Sequence, residues 1–373
     1  MTACLLTSFV LWILMSLQPV VQQTDRHQTK LLPPPGDQIY FAAYPDFGGD
    51  ETDITAQRIT SFEALAGKDI TWACFSQLWF ESMAYPYDQV HTIHDTGVIP
   101  YIRMQPRSTR DEYVRETVYT MDNIIAGQFD AELRQWARDA RADGIPLCVE
   151  FCVEVNGQWF PWNGFWNGGG TTTGYGDPTY PDGPERYRDA YRHVIDLFRS
   201  EHVSNITWFF HTTSYAEPDE AWNDPKYYYP GDDYIDWIGV SVYGALYPAQ
   251  NYWDTFDETL TDNNAVQKLL EISNTKPFAL LEFGVTDFHP LGSKPQWLTE
   301  AFDSILTDRY IHFSAINYWH ENWDNNGSMT TLRIDSSPAS LTTFQNLISN
   351  PRFISQGRFT YRYPHMPHKL QWK

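Results

Sequence analysis

The chain has 373 residues, enough for one large domain or two small ones, and carries a formal net charge of −21. With no cluster of Lys and Arg, that balance excludes nucleic acid and anionic membranes as partners, because both need grouped cations. Aromatics make up 16% of the chain, including 15 Trp and 23 Tyr, more than a core of this size requires, which suggests a binding surface of flat rings; a neutral partner fits best, and neutral polysaccharide is one.

The N-terminal residues Cys4 to Val21 are apolar, but the core from Leu5 to Leu17 is short for a membrane span. Residues 1–23 therefore read as a secretory signal and the protein as secreted. The absence of Lys or Arg from Met1-Thr2-Ala3 leaves an uncleaved anchor as the alternative. A Pro-rich linker is expected at 24–36, one catalytic domain at 37–355 and a tail at 356–373. Once the signal is removed, Cys74, Cys148 and Cys152 remain, an odd set expected as buried small hydrophobes. Asn205 and Asn326 begin N-glycosylation acceptor patterns.

Strand-like segments follow at Ile39 to Ala43, Ile70 to Phe75, Val98 to Met104, Ile145 to Val153, Ile206 to His211, Tyr234 to Tyr243, Phe278 to Phe283 and His312 to Tyr318. Helical spacing lies between them. Ile54, Ile59, Phe62 and Leu65 share one face, as do Leu133, Trp136, Ala137 and Ala140, and Tyr187, Ala190, Tyr191, Val194, Ile195 and Phe198. Val266, Leu269 and Leu270, then Phe302, Ile305 and Leu306, and finally Leu341 to Ile348 complete the alternation. Such a pattern favours a single-domain (β/α)8 TIM barrel over an open doubly wound sheet. Neither a Gly-rich dinucleotide turn nor a phosphate loop occurs, so no nucleotide is expected.

Sites on this fold gather at the C-terminal ends of the strands. Read in order, those ends are Tyr44, Trp79, Arg103, Glu154, His211, Tyr243, Glu282 and Trp319. The segment Ile145 to Trp166 runs as a buried strand into Glu154 and then into a loop holding Trp159, Phe160, Trp162 and Trp166. An acid among indole rings suits a general acid whose pKa must rise toward neutral; a strand-end carboxylate bonding its own turn is the plainer alternative. Glu154 and Glu282 end the fourth and seventh strands, facing each other across the mouth. There their carboxyls could stand about 5–6 Å apart, the spacing of retaining glycoside hydrolysis. Burial and the neighbouring charge should then hold Glu154 at a higher pKa than Glu282.

The segments E-V-N-G-Q-W-F-P-W, Y-Y-P-G-D-D-Y-I-D-W-I-G-V-S-V-Y-G, L-L-E-F-G and R-I-D-S-S-P, in this order, resemble glycoside hydrolase family 26, best known for endo-β-mannanases. The resemblance runs from about Ile39 to Phe353. It implies a retaining double displacement without a cofactor, with Glu154 as acid/base, Glu282 as nucleophile, and Tyr243 bonded to the nucleophile. It also implies Trp319 or Trp323 as an aromatic platform near the cleaved sugar. The family's mannanases carry His directly before the acid/base and Arg four residues before it, where this chain has Val153 and Glu150. Mannan is thus the leading substrate, with β-glucan or xylan behind it; a non-catalytic carbohydrate-binding barrel is the rival reading.

Glu150 shares strand parity with Glu154 and should point inward, toward a basic partner for which Arg103 is the candidate. Two roles suit Arg103, charge partner and substrate ligand, and two suit His211, sugar ligand and satisfied strand-end side chain. Trp159 and Trp162 are the expected stacking rings. Asp232 and Asp233 are expected as turn residues, and 168–174 as a cleft wall or lid. The oxygen-rich run from Glu321 to Gly327 lacks the spacing of a calcium loop, so no metal is expected. The chain is expected to act as a monomer.

Overall fold

The computed structural model describes residues 27–362, apart from residues 50 and 326. Eight parallel strands form the barrel: β2 (Ile39–Tyr44), β3 (Trp72–Leu78), β4 (Ile99–Gln105), β5 (Leu147–Phe151), β6 (Ile206–Thr213), β7 (Trp237–Tyr243), β8 (Phe278–Gly284) and β9 (Phe313–Trp319). They pair in sequence order, and β2 pairs with β9 to close the ring. Each is the strand expected from its apolar, β-branched run. The strands are buried along almost their whole length, as a layer covered by helices on one face and filled by side chains on the other must be.

The helices are α1 (Ala56–Ala66), α2 (Tyr87–His94), α3 (Met121–Ile125), α4 (Asp130–Asp143), α5 (Asp182–Ser200), α6 (Phe256–Thr261), α7 (Ala265–Ile272), α8 (Lys294–Leu306) and α9 (Pro338–Ile348). In α5 the whole expected stripe, Tyr187, Ala190, Tyr191, Val194, Ile195 and Phe198, is buried against the barrel. Two of its tyrosines keep a polar handle there: Tyr187 donates to the Phe151 carbonyl and Tyr191 to that of Phe209. In α7, Leu269 is buried but Leu270 is exposed, so that stripe is narrower than expected.

Two segments expected as linker and tail are structured instead. β1 (His27–Leu32) pairs antiparallel with β13 (Arg358–Arg362), a ladder between residues far apart in sequence. This clasp lies under the N-terminal ends of the barrel strands. Leu31 is buried there, its amide donating to Thr207 and its carbonyl accepting from the Trp237 indole, and Lys30 pairs with Asp236 at 2.5 Å. Two residues, β12 (Phe353–Ile354), add to the start of β2. At the opposite end, β10 (Asn322–Asn325) and β11 (Ser328–Thr331) make a hairpin after β9.

The signal expected at 1–23 and the acceptor Asn326 lie outside the described residues. Cys74, Cys148 and Cys152 are free and buried, as expected. Asn205 is buried with its amide donating to the Ala140 and Ile145 carbonyls, so the folded chain does not present it to a glycosylating enzyme. Asp232 accepts from Tyr229, Ser273 and Thr275 in a turn, the role expected of it. The glycine-rich stretch after Trp166 is tied to α5, where Asp182 accepts from Thr171 and the Gly174 amide and Arg186 donates to the Gly174 carbonyl. No described helix is long and apolar enough to cross a membrane.

Candidate active site

Glu154 stands just past the end of β5, where the chain leaves the strand by a tight turn. Cys152 and Glu154 both take left-handed backbone angles, φ 63° and 48°, costly for non-glycine residues and held only by their surroundings. Those surroundings are specific: the Val155 amide donates to the His211 carbonyl and the Gly157 amide to that of Glu154. Gly157 matters for what it lacks, since a Cβ there would lie 2.2 Å from the Trp159 ring. Without it, Trp159 folds back over the turn and its indole NH donates to Glu154 at 2.9 Å.

Glu282 comes from β8, where a bulge between Leu280 and Glu282 leaves Leu281 without a partner and sets Glu282 opposite Ser241. Gly239 makes room for the bulge; a Cβ on it would meet Leu281 at 2.1 Å. Two donors hold the Glu282 carboxyl, the Tyr243 hydroxyl at 2.8 Å and Arg103 Nη2 at 2.6 Å.

An oxygen of Glu154, an oxygen of Glu282 and a ring nitrogen of His211 all lie within 4.8 Å of one another. Carboxyls about 5–5.5 Å apart belong to retaining glycosidases and those roughly 6.5–9.5 Å apart to inverting ones. Both carboxyls are buried. Burial raises Glu154, with Ser241, Arg103 and Trp159 offsetting part of the rise. Burial also raises Glu282, to about 7, against the pull of Arg103 and with a push from the charge of Glu154. Both carboxyls are raised, so the structure does not set Glu154 above Glu282 as expected. Two carboxyls this close titrate as a pair, each opposing the ionisation of the other.

Arg103 is the hub of the site. Its Nε donates to Glu150 at 3.2 Å, its Nη2 to Glu282, and its Nη1 to Glu51. Burial works against the guanidinium charge, and the three carboxylates more than offset it. With every nitrogen so engaged and the side chain 4% exposed, Arg103 is the charge partner and not a substrate ligand. The basic partner expected for Glu150 is thus present, directly across from it in the β4–β5 ladder. Burial alone would raise Glu150, but His211, Arg103 and Tyr101 hold its carboxyl below the usual range.

His211 likewise faces protein on both sides. Its Nδ1 lies 2.9 Å from Glu150 and its Nε2 2.8 Å from Ser241, whose hydroxyl in turn bonds Glu154. Of its two expected roles, sugar ligand and satisfied strand-end side chain, these contacts fit the second. A continuous path runs from Glu282 through Arg103, Glu150, His211 and Ser241 to Glu154.

The tryptophans divide. Trp159 is half-buried at the mouth, where a sugar can reach it. Trp162 is buried, stacked on Phe160 with centroids 4.5 Å apart and donating to the Val153 carbonyl, so it is core and not a stacking surface. Trp319 is 5% exposed, with Tyr44 stacked at 4.1 Å and the Arg103 guanidinium 4.9 Å from its ring centre, so little of it is open to a ligand. Trp323, half-buried on β10, is the freer of the two rings. Tyr44 and Trp79, also read as strand ends, are buried in the core.

Three participants were missed. Glu51 lies in the loop after β2 and also bonds Ser76; no periodicity marks a loop carboxylate. Ser241 is one inward position of a uniformly buried strand. Glu321 follows Trp319 and accepts from its indole at 3.0 Å, while burial, then the charge of Glu51, raises its carboxyl to about 8. The oxygen-rich run in which it sits was considered only for calcium.

A closed (β/α)8 barrel whose C-terminal mouth holds two facing carboxyls is the architecture of glycoside hydrolases. The model of glycosyl hydrolase family 26 matches residues 108–280, a likeness that includes Glu154 and ends two residues before Glu282. Among curated relatives it is 28% identical to endoglucanase H of Acetivibrio thermocellus over 80% of this chain and 30% of that protein. It is 23% identical to β-1,3-xylanase TXYA of a Vibrio species over 63% of this chain and 50% of the relative. The chain thus spans at most half the length of these relatives. A modular endo-β-1,4-mannanase from Cellulomonas fimi superposes with a TM-score of 0.58 at 19% identity, over 86% of this chain and 72% of the other. The Bacillus subtilis mannanase BCman does so at 0.57 and 14%, over 87% and 88%, and both likenesses show the barrel.

Proposed function

We propose that the chain hydrolyses a β-linked neutral polysaccharide with retention of configuration, and that it acts outside the cell. The observation that carries this reading is the separation of Glu154 and Glu282 within 4.8 Å at the barrel mouth. In the first step a Glu282 oxygen attacks the anomeric carbon while Glu154 gives its proton to the departing glycosidic oxygen. In the second, Glu154 takes a proton from water, which attacks the same carbon and frees Glu282. Tyr243 and Arg103 orient the nucleophile, and Trp159 does the same for the acid while offering its face to the sugar. The raised pKa of Glu154 suits this cycle, because it favours the protonated form that the leaving oxygen needs.

β-1,4-Mannan is the substrate the family resemblance implies. A β-glucan is the second reading, favoured by the similarity to an endoglucanase and by Val153 and Glu150. Val153 is buried, and Glu150 is spent on Arg103, Tyr101 and His211, so neither position offers a sugar the hydrogen bonds of a His or Arg.

Reducing ends released from mannan, β-glucan and xylan decide the substrate, and the anomer first formed, read by NMR, decides the stereochemistry. Glu282→Ala should abolish release. Glu154→Ala should lower it by about 10²–10⁴-fold on polysaccharide, and far less on aryl glycosides whose leaving group needs no proton. An inverted product, or full turnover by Glu282→Ala, overturns the mechanism.

A further inference from the structure

Next to Trp159, whose indole bonds Glu154, stand two exposed tyrosines. Tyr215 follows β6, its ring 5.7 Å from that of Trp159 and tilted by 49°. It is 45% exposed, yet its backbone is fixed: buried Asn156 donates to the Thr213 and Tyr215 carbonyls and accepts from the Thr213 amide, and the Ser214 amide donates to the Ser241 carbonyl. Tyr113, 50% exposed, comes from the loop after β4. It takes a left-handed φ of 57°, and its amide donates to the Trp159 carbonyl. Its hydroxyl bonds Glu217, two residues beyond Tyr215. Loops after three different strands are thus bound to one another by backbone and side-chain hydrogen bonds while their rings remain open to solvent.

Exposed rings on a backbone this firmly held point to a ligand. A mobile loop would let the rings fold inward and bury apolar area, which these bonds prevent. The location identifies the ligand. Glu154 delivers its proton to the oxygen of the departing sugar, so rings reached from Glu154 through Trp159 lie along the path of the leaving group. We propose that Tyr215, flanked by Tyr113, forms a second sugar position on the leaving-group side, stacking a ring of a neutral β-linked glycan that extends at least two sugars past the cleaved bond. This deepens the hydrolase reading and rests on Glu154 as the acid.

The test compares the wild type with Tyr215→Ala and Tyr215→Phe on two sets of probes. One set is β-1,4-linked manno-, gluco- and xylohexaose; the other is the 4-nitrophenyl glycosides of the matching disaccharides, whose leaving group is a single ring. The expected result is a kcat/KM loss on hexaose that exceeds the loss on the aryl glycoside by roughly 3- to 10-fold in Tyr215→Ala, as befits one stacked ring. Product analysis should show cleavage moving toward the reducing end of the hexaose, and Tyr215→Phe, which keeps the ring, should stay near the wild type. Equal losses on both probe sets, or an unaltered Tyr215→Ala on an active wild-type background, overturn the Tyr215 position and leave the hydrolase reading standing. A wild type that cleaves no probe of either set overturns both.

Discussion

Arg103 Nη2 lies 2.6 Å from Glu282 Oε1, and the same guanidinium also holds Glu150 and Glu51. One cation therefore balances three carboxylates, one of them the proposed nucleophile. Removing it as Arg103→Met takes away an opposite charge, which favours the neutral form of Glu282 and raises its pKa further. The acidic limb of the kcat/KM profile should move to higher pH, with kcat down by about 10²-fold or more. The orphaned carboxylates should cost about 3–5 kcal/mol of stability. Arg103→Lys keeps the charge but not the three-way fork, so its limb should stay closer to the wild-type position. A pH series on both variants checks this, and an unshifted limb in Arg103→Met refutes it.

Gly157 is tied to the acid by what a methyl would displace. Gly157→Ala should drive Trp159 off Glu154, removing a donor that favours the charged form and so raising the Glu154 pKa. The basic limb should move up in pH, and kcat/KM should fall. Trp159→Phe, which deletes the NH without the clash, should shift the limb in the same direction. Indole fluorescence should report the displaced ring in Gly157→Ala.

Glu321 gives a prediction about stability. Its carboxyl titrates at about 8 in the folded chain, against about 4.3 for a free glutamate. The native state thus binds the proton more tightly. The stability this group contributes is fully present below pH 4 and is lost as pH rises through about 8. Glu321→Gln, which mimics the neutral form and can still accept from Trp319, should match the wild type near pH 4.5 and exceed its Tm by a few degrees at pH 9. Thermal melts at the two values test it; a constant difference would mean that the burial of Glu321 is not what governs the effect.

The clasp separates stability from catalysis. Leu31 is buried at the foot of the barrel, so Leu31→Ala should cost about 2–5 kcal/mol. Because it lies at the end away from Glu154 and Glu282, kcat/KM measured well below the melting point should be unaffected. A comparable loss of kcat/KM at low temperature would show that the two ends of the barrel are coupled.

All eight barrel strands were legible because each is a short apolar run bounded by turn residues, and their ends brought Arg103, Glu154, His211, Tyr243, Glu282 and Trp319 into one mouth. Parity along β5 also gave the inward Glu150 and its partner Arg103. Roles were harder to read than places. For Arg103 and His211 both a protein partner and a sugar were open, and only the full set of contacts shows each ring or guanidinium nitrogen taken by protein. Trp159 and Trp162 look alike in sequence, three residues apart in one loop; left-handed turns at Cys152 and Glu154 send one to the mouth and the other to the core. The β1–β13 ladder was invisible for a different reason, since its strands meet across nearly the whole chain and neither carries an alternating pattern strong enough to announce a partner.

That ladder also sets the direction in which the molecule presents itself. His27 and Arg362 are paired, so both routes out of the folded body leave from the same spot, on the pole remote from the carboxyl pair. The two ends of the described chain thus share one foothold, and neither comes near the mouth where Glu154 and Glu282 meet.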